Sequence, residues 1–265
     1  MKAKGIAQLT DIDLTDASIY GTKAVNLARA ISLGFSVPNG FAVSRLVGVV
    51  EFADIAQDVL DKLPMPLAVR SSAIKEDSAN KSFAGIFETE LGVSTKKDLL
   101  KAFAKVKNSG LCDYVKSYEG MACPPEQVAV LVQSMVDAEV AGVAFSRDPI
   151  TGEDKVIIES NYGLGKSVVD GIVTPDSIEV LYDGTIKTFI GRKRKKIKLC
   201  KKGICEQTVD VGDAERCSLA DVQIAKIEKL AREVEVKFGF PADIEWVIDA
   251  MGELWLLQVR PITTI

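Results

Sequence analysis

The chain has no histidine among its 265 residues. That absence removes serine–histidine and cysteine–histidine nucleophilic machinery, and histidine-ligated zinc with it. A general base must then be a carboxylate or a lysine, or arrive on another chain. Cysteine is scarce and odd in number, five in all. Cys112, Cys123, Cys200, Cys205 and Cys217 form no CxxC pair, so reduced thiols in the cytosol are expected rather than a disulfide scaffold. Cys200 and Cys205, close together in a turn region, carry only a weak metal signal. No apolar run reaches the roughly 18 residues of a membrane span, and Met1-Lys-Ala-Lys-Gly5 lacks an apolar signal core. A net charge of −4 exerts no overall pull on nucleic acid or anionic membrane. Neither is expected as a partner, and a cytoplasmic location is.

What the chain does have is apolar mass. Hydrophobic residues make up 47% of it, enough for one large domain or two closely packed lobes. Helical periodicity marks 21–31, 46–63, 94–119 and 219–238. Strand-like stretches include 67–72, 82–93, 128–136, 141–146, 155–160 and 173–181. Many strands, few helices and no βα alternation predict an α+β fold rather than a doubly wound sheet. Pro124-Pro125 is the best lobe boundary, giving lobes at 1–123 and 124–265.

The most informative stretch runs from Asp243 to Arg260. Ile244, Trp246 and Ile248 alternate with Asp243, Glu245 and Val247, a period of two. Leu254 to Val259 reads as a second strand, and Asp249-Ala-Met-Gly252 as the turn between them. Folding about that turn sets Asp243 near Gln258 and Glu245 near Leu256, and gathers Asp243, Glu245, Gln258 and Arg260 at one end. Such a set on an apolar sheet costs desolvation energy unless something fills the space between. Hard oxygens suit Mg2+ and the arginine suits phosphate. The alternative is a surface hairpin with one salt bridge.

Other stretches carry weaker chemistry. Gly21-Thr22-Lys23 opens a predicted helix, where a lysine and free N–H groups can meet a phosphate, although no spaced Walker A loop is present. Arg70, directly after the apolar strand Leu67-Ala-Val69 and before Ser71 and Ser72, can hold phosphate oxygens bidentately or form a structural salt bridge. Ser82-Phe-Ala-Gly85 suits a mobile turn over a ligand. Val132-Gln-Ser-Met-Val136 fits an adenine hinge or a plain core strand. Arg192 to Lys202 is the one dense basic run. It has no interleaved aromatics and reads as a solvated strand and turn.

In order along the chain, these pieces resemble the N-terminal nucleotide-binding domain of the phosphoenolpyruvate synthase and pyruvate phosphate dikinase family, a domain shared by rifampicin phosphotransferase. Further matching segments are Val37-Pro-Asn-Gly-Phe41, Gly142-Val-Ala-Phe-Ser146, Asp148-Pro-Ile-Thr-Gly152, Gly163-Leu-Gly165 and Val173-Thr-Pro-Asp176. The resemblance implies an ATP-grasp fold with ATP bound between two lobes. It implies that Lys23, Arg70 and Arg260 bind phosphates, that Ser82 and Gly85 belong to a capping turn, and that Gln133, Met135 and Val136 line the adenine pocket. Glu245 and Gln258 become Mg2+ ligands, and Asp243 supports them. It further implies phosphoryl transfer to a histidine on a separate swivelling domain, with a pyruvate-binding domain beyond it. Neither is in this chain, so the chain is expected to be a split subunit or an excised domain. Lys166 stands where the family usually has an acid. A related phosphotransferase and a non-catalytic nucleotide-binding module are the alternatives.

Overall fold

The computed structural model describes residues 5–73, 77–78, 81–82, 88–109 and 128–264. The chain divides into two compact units, residues 1–135 with 201–203 and residues 136–200 with 204–265. Each has its own antiparallel sheet, as an α+β architecture requires.

In the first unit, β1 (Ile6–Gln8), β2 (Gly40–Val43), β3 (Leu67–Ala73), β6 (Thr89–Val93) and β7 (Val128–Ser134) form a five-stranded sheet in the order β1-β2-β7-β3-β6. A short ribbon of β4 (Asp77–Ser78) and β5 (Lys81–Ser82) stands apart from it. The sequence reading put 128–134 in the second lobe, yet this strand lies between β2 and β3, so the division falls after residue 135. The Pro124-Pro125 boundary itself lies outside the described residues.

Helices α2 (Val49–Leu60) and α3 (Lys96–Asn108) cover one face of this sheet. Phe52 and Phe103 stack between them with ring centroids 3.8 Å apart, over Leu67, Val69, Val130 and Val132. Helix α3 starts at a cap. The Thr95 hydroxyl oxygen accepts from the Asp98 N–H at 3.1 Å, and its O–H reaches the Asp98 carboxylate at 2.6 Å, the reciprocal pattern that fixes a helix N-terminus. Because side chains alternate along a strand, Ala68, Arg70 and Ser72 face away from this core, toward α1 (Ala17–Ser32).

The second unit holds a six-stranded antiparallel sheet, ordered β11-β10-β9-β8-β14-β15. Its strands are β8 (Ala138–Phe145), β9 (Lys155–Tyr162), β10 (Asp176–Leu181), β11 (Ile186–Phe189), β14 (Ala242–Asp249) and β15 (Leu254–Pro261). Two single-turn helices, α4 (Lys166–Val169) and α5 (Val211–Ala214), lie in the connections. Helix α6 (Asp221–Phe238) lays Ile224, Ile227, Ala231 and Val234 on one sheet face, opposite the fully buried Ile158, Ile244, Trp246 and Ile248. Burying a large apolar side chain of this kind contributes about 1.5–3 kcal/mol, and this seam is the unit's core.

A hairpin of β12 (Lys195–Cys200) and β13 (Gly203–Thr208) leaves the sheet. One sequence expectation fails there and another holds only in part. Cys200 and Cys205 are paired as a disulfide, not reduced, because the hairpin brings the two strands' ends together. The basic run is solvated only in part: Arg192, Arg194, Lys195, Lys201 and Lys202 are exposed. Lys193 is wholly buried and ion-paired with the equally buried Asp176, Lys195 pairs with Glu206 at 2.8 Å, and Lys198 donates to the Ala138 carbonyl at 2.7 Å. Among the described residues, no helix is long and apolar enough to cross a membrane.

Candidate functional site

The hairpin of β14 and β15 forms as the sequence suggests, with the turn at 249–252 closed by the Gly252 N–H on the Asp249 carbonyl at 2.9 Å. Its register differs from the expected one. Near the turn, Trp246 opposes Leu256, Val247 opposes Trp255 and Ile248 opposes Leu254. Past Glu245 the pairing shifts by one residue, so Leu257 is left over as a β-bulge, Glu245 opposes Gln258 and Asp243 opposes Arg260. Counting back from the turn without a bulge could not find this. The consequence is an acid–amide pair beside an acid–guanidinium pair, two residues apart on one sheet face.

That face is opposite α6. Asp243 is buried and accepts from Arg260 Nε at 2.8 Å through Oδ2. Its Oδ1 is also buried and, among the described residues, has no hydrogen-bond partner. Burial pushes the Asp243 carboxyl up from its ordinary value, the Arg260 guanidinium pulls it back down, and Glu245 and Glu159 push it up further. A buried acceptor left unsatisfied carries a real cost, and such atoms gather where a ligand completes the set. Gln258 is buried and Glu245 half-buried.

Glu159 was missed by sequence reasoning. It stands on β9 opposite Val143 of β8, and Val143 in turn opposes Glu245. Register neighbours share a face, so Glu159, Glu245 and Gln258 lie in one row. The only signal in the sequence was an acid directly after the apolar run Val156-Ile-Ile158. Among the described residues, no group of three or more histidine, cysteine, aspartate or glutamate side chains could hold a metal ion.

In the first unit, Gly21 opens the longer part of α1, after a first helical turn that the sequence reading did not include. Residues 17–20 are already helical, and Gly21 breaks the helix with φ +76°. A Cβ there would stand 1.8 Å from the Ser72 carbonyl oxygen, so only glycine fits. Beyond the break the Ala24 N–H donates to Ser72 Oγ at 3.1 Å. Ser72 therefore serves as a cap supplied by β3. This approach brings the segment bearing Lys23 against the strand bearing Arg70. Ser71 and Ser72 are fully buried.

Gln133 and Met135, expected from the sequence at an adenine pocket, are tied into the first unit. Gln133 is buried and its amide donates to the Pro38 carbonyl at 2.9 Å. Met135 gives its N–H to the Pro66 carbonyl at 2.9 Å, and its sulfur accepts from the Gly92 N–H at 3.0 Å. Val136 is half-buried. The side chain of Ser82, and Gly85 altogether, lie outside the described residues. Lys166 opens α4 and forms an ion pair with Asp170.

Comparison with known proteins gives the class first: AMP/ATP-binding domains. The family described as the pyruvate phosphate dikinase AMP/ATP-binding domain matches residues 49–265, and the chain belongs to it. An uncharacterized phosphotransferase of Bacillus subtilis, YvkC, is 32% identical over 94% of this chain and 34% of its own length. A probable phosphoenolpyruvate synthase of Archaeoglobus fulgidus is 29% identical over 97% of this chain and 41% of its own. A rifampicin phosphotransferase of Bacillus cereus is 34% identical over 98% and 36%. The chain thus spans less than half the length of each of these relatives.

Proposed function

We propose that this chain is the Mg2+·ATP-binding part of a phosphoenolpyruvate synthase-like phosphotransferase, with an ATP-grasp fold. It passes phosphoryl groups from ATP to a histidine on a separate swivelling domain, ahead of a pyruvate-binding domain. The observation that carries the reading is the paired face of β14 and β15, where Glu245 and Gln258 sit beside Asp243 and Arg260. Carboxylate and amide oxygens are the donors Mg2+ prefers, and an Asp243 Oδ1 without a partner among the described residues fits a site completed by a ligand. Glu245 and Gln258 hold the ion, whose contribution is to neutralise phosphate charge. Arg260, oriented through Nε by Asp243, presents its remaining donors to phosphate oxygens. Lys23 and Arg70 are further phosphate ligands. Gln133, Met135 and Val136 serve adenine through the backbone, since the Gln133 amide is engaged by Pro38. With no histidine in the chain, catalysis here is positioning and charge stabilisation.

The test mixes the chain with ATP, Mg2+ and a histidine-bearing swivelling domain. AMP and acid-labile phosphate on the partner are expected. Glu245→Ala should abolish Mg2+-dependent turnover and leave the unfolding midpoint in place. Normal activity of that variant would sink the metal assignment. The relatives named as rifampicin phosphotransferases support a second reading, an antibiotic as the acceptor downstream of the same ATP half-reaction. Nucleotide binding without AMP formation with any such domain would favour a non-catalytic module.

A further inference from the structure

The hairpin of β12 and β13 has no part in the proposed phosphoryl transfer. Its base is fixed by hydrogen bonds within the second unit. The Leu164 N–H donates to the Ile197 carbonyl at 2.7 Å, and Lys198 Nζ to the Ala138 carbonyl at 2.7 Å. Its end is closed differently. Cys200, the last residue of β12, and Cys205, in β13, are joined across the turn at Lys201-Lys202. Both cysteines are half-buried and both lysines are exposed. A dissolved thiol can therefore reach the bond, and cationic surroundings are those in which cysteines exchange readily.

The closed end bears on a contact with no slack. Residues 201–203 belong to the first unit, as β6 does. There Gly203 lies against Gly92 of β6. A Cβ at Gly92 would stand 2.5 Å from the Gly203 backbone, and Gly92 has φ +74°. Backbones approach this closely only where a side chain is missing. The Gly92 N–H in turn donates to the Met135 sulfur at 3.0 Å, and the Met135 N–H donates to the Pro66 carbonyl at 2.9 Å. The path from the sulfur–sulfur bond to Met135 thus runs through one turn and one backbone contact. A tip that moves off Gly92 frees the backbone that holds the Met135 side chain, and Met135 is one of the residues assigned above to adenine.

We propose that Cys200 and Cys205 form a reversible thiol–disulfide switch, in which the oxidised, closed tip favours nucleotide binding and the reduced tip weakens it. This rests on the ATP reading above, through Met135. In the reducing direction a dithiol supplies two electrons and two protons. Its thiolate attacks one cysteine sulfur, the Cys200–Cys205 bond breaks, and the pair is left as two thiols while the dithiol becomes a disulfide. A small disulfide of the glutathione class runs the exchange backward and releases two thiols of its own. The bistable element is the tip, held in one shape by the bond and free to sample others without it.

The experiment is titration calorimetry of the whole chain with ATP and Mg2+, after treatment with oxidised glutathione and again after dithiothreitol. Alkylation and mass spectrometry count the thiols in each state. The oxidised chain should bind ATP at least about fivefold more tightly. Reduction should also speed amide hydrogen exchange in the peptide carrying Thr89–Val93 and leave that of β14 unchanged. The double variant Cys200→Ser with Cys205→Ser should bind like the reduced chain under both conditions. A chain with Cys112, Cys123 and Cys217 replaced by serine should keep the full response. Equal affinity in the two states, a pair that never oxidises, or a response that follows the other three cysteines instead overturns the switch while the ATP reading stands. A change of affinity without faster exchange at Thr89–Val93 overturns the route through Gly92. No ATP binding in either state removes the ATP reading, and this inference with it.

Discussion

Replacing Lys193 with methionine removes the cation of an ion pair in which neither side chain has exposed surface. Asp176 is left with two backbone donors, the Gly191 N–H at 2.9 Å and the Ser218 N–H at 2.7 Å. Breaking a buried pair from one side costs about 3–5 kcal/mol. The two remaining donors offset part of that, so a loss of about 3 kcal/mol is expected, against about 5–15 kcal/mol for a whole domain. Both tryptophans, Trp246 and Trp255, lie on β14 and β15, so urea unfolding followed by fluorescence reports on this unit. At about 1–3 kcal/mol per molar urea, the midpoint should fall by about 1–3 M. Asp176→Leu alone should be comparably harmful, because it strands an ammonium. The double variant should be more stable than the sum of the single losses by about 2 kcal/mol. Additive losses, a single loss below about 1 kcal/mol, or a loss erased by added salt would refute the reasoning, since those describe a solvated pair.

Three further outcomes are expected. Gly21→Ala should lower the unfolding midpoint markedly, by about 2 kcal/mol or more, because the new methyl meets the Ser72 carbonyl and the backbone is left-handed; an unchanged midpoint would contradict the break in α1. Asp148 is held well below the ordinary aspartate value, chiefly by Lys155 and then by the Ile150 and Thr151 N–H groups. A depressed carboxyl stabilises the fold above its unfolded value and loses that contribution as the pH falls toward its folded one. The stability gap between wild type and Asp148→Asn, measured by thermal melts, should therefore be open at neutral pH and close in acid. Finally, trypsin cleavage after Lys201 or Lys202, under non-reducing conditions, should release two peptides still joined through Cys200 and Cys205; mass spectrometry that finds them separate would restore the free-thiol reading.

The hairpin, its turn and the period of its first strand were legible because alternation with a core is a local signal. The pairing across it was not, because a bulge leaves no mark in composition. Lys23 and Arg70 could be singled out by type and neighbourhood. That Gly21 interrupts a helix, and that Ser72 caps it from 48 residues away, depends on a contact no local window contains. Lys193 misled for a related reason. In a run of lysines nothing distinguishes the one whose partner, Asp176, sits 17 residues earlier on another strand. Glu159 hid directly after an apolar run, and only the sheet order puts it in line with Glu245.

The surplus residue at Leu257 decides parity. Extending the pairing near the turn without it would set Leu257 opposite Glu245 and Val259 opposite Asp243. Gln258 and Arg260 would then point into the seam against α6, and Leu257 and Val259 would lie on the face that carries Asp243 and Glu245. Single substitutions at Gln258 or Arg260 each remove one group. Deleting Leu257 would close the bulge and leave Gln258 opposite Glu245 and Arg260 opposite Asp243. The groups are held on one face by keeping Leu257 out of the pairing, so a register slip that paired it would displace them all, while loss of the residue would displace none.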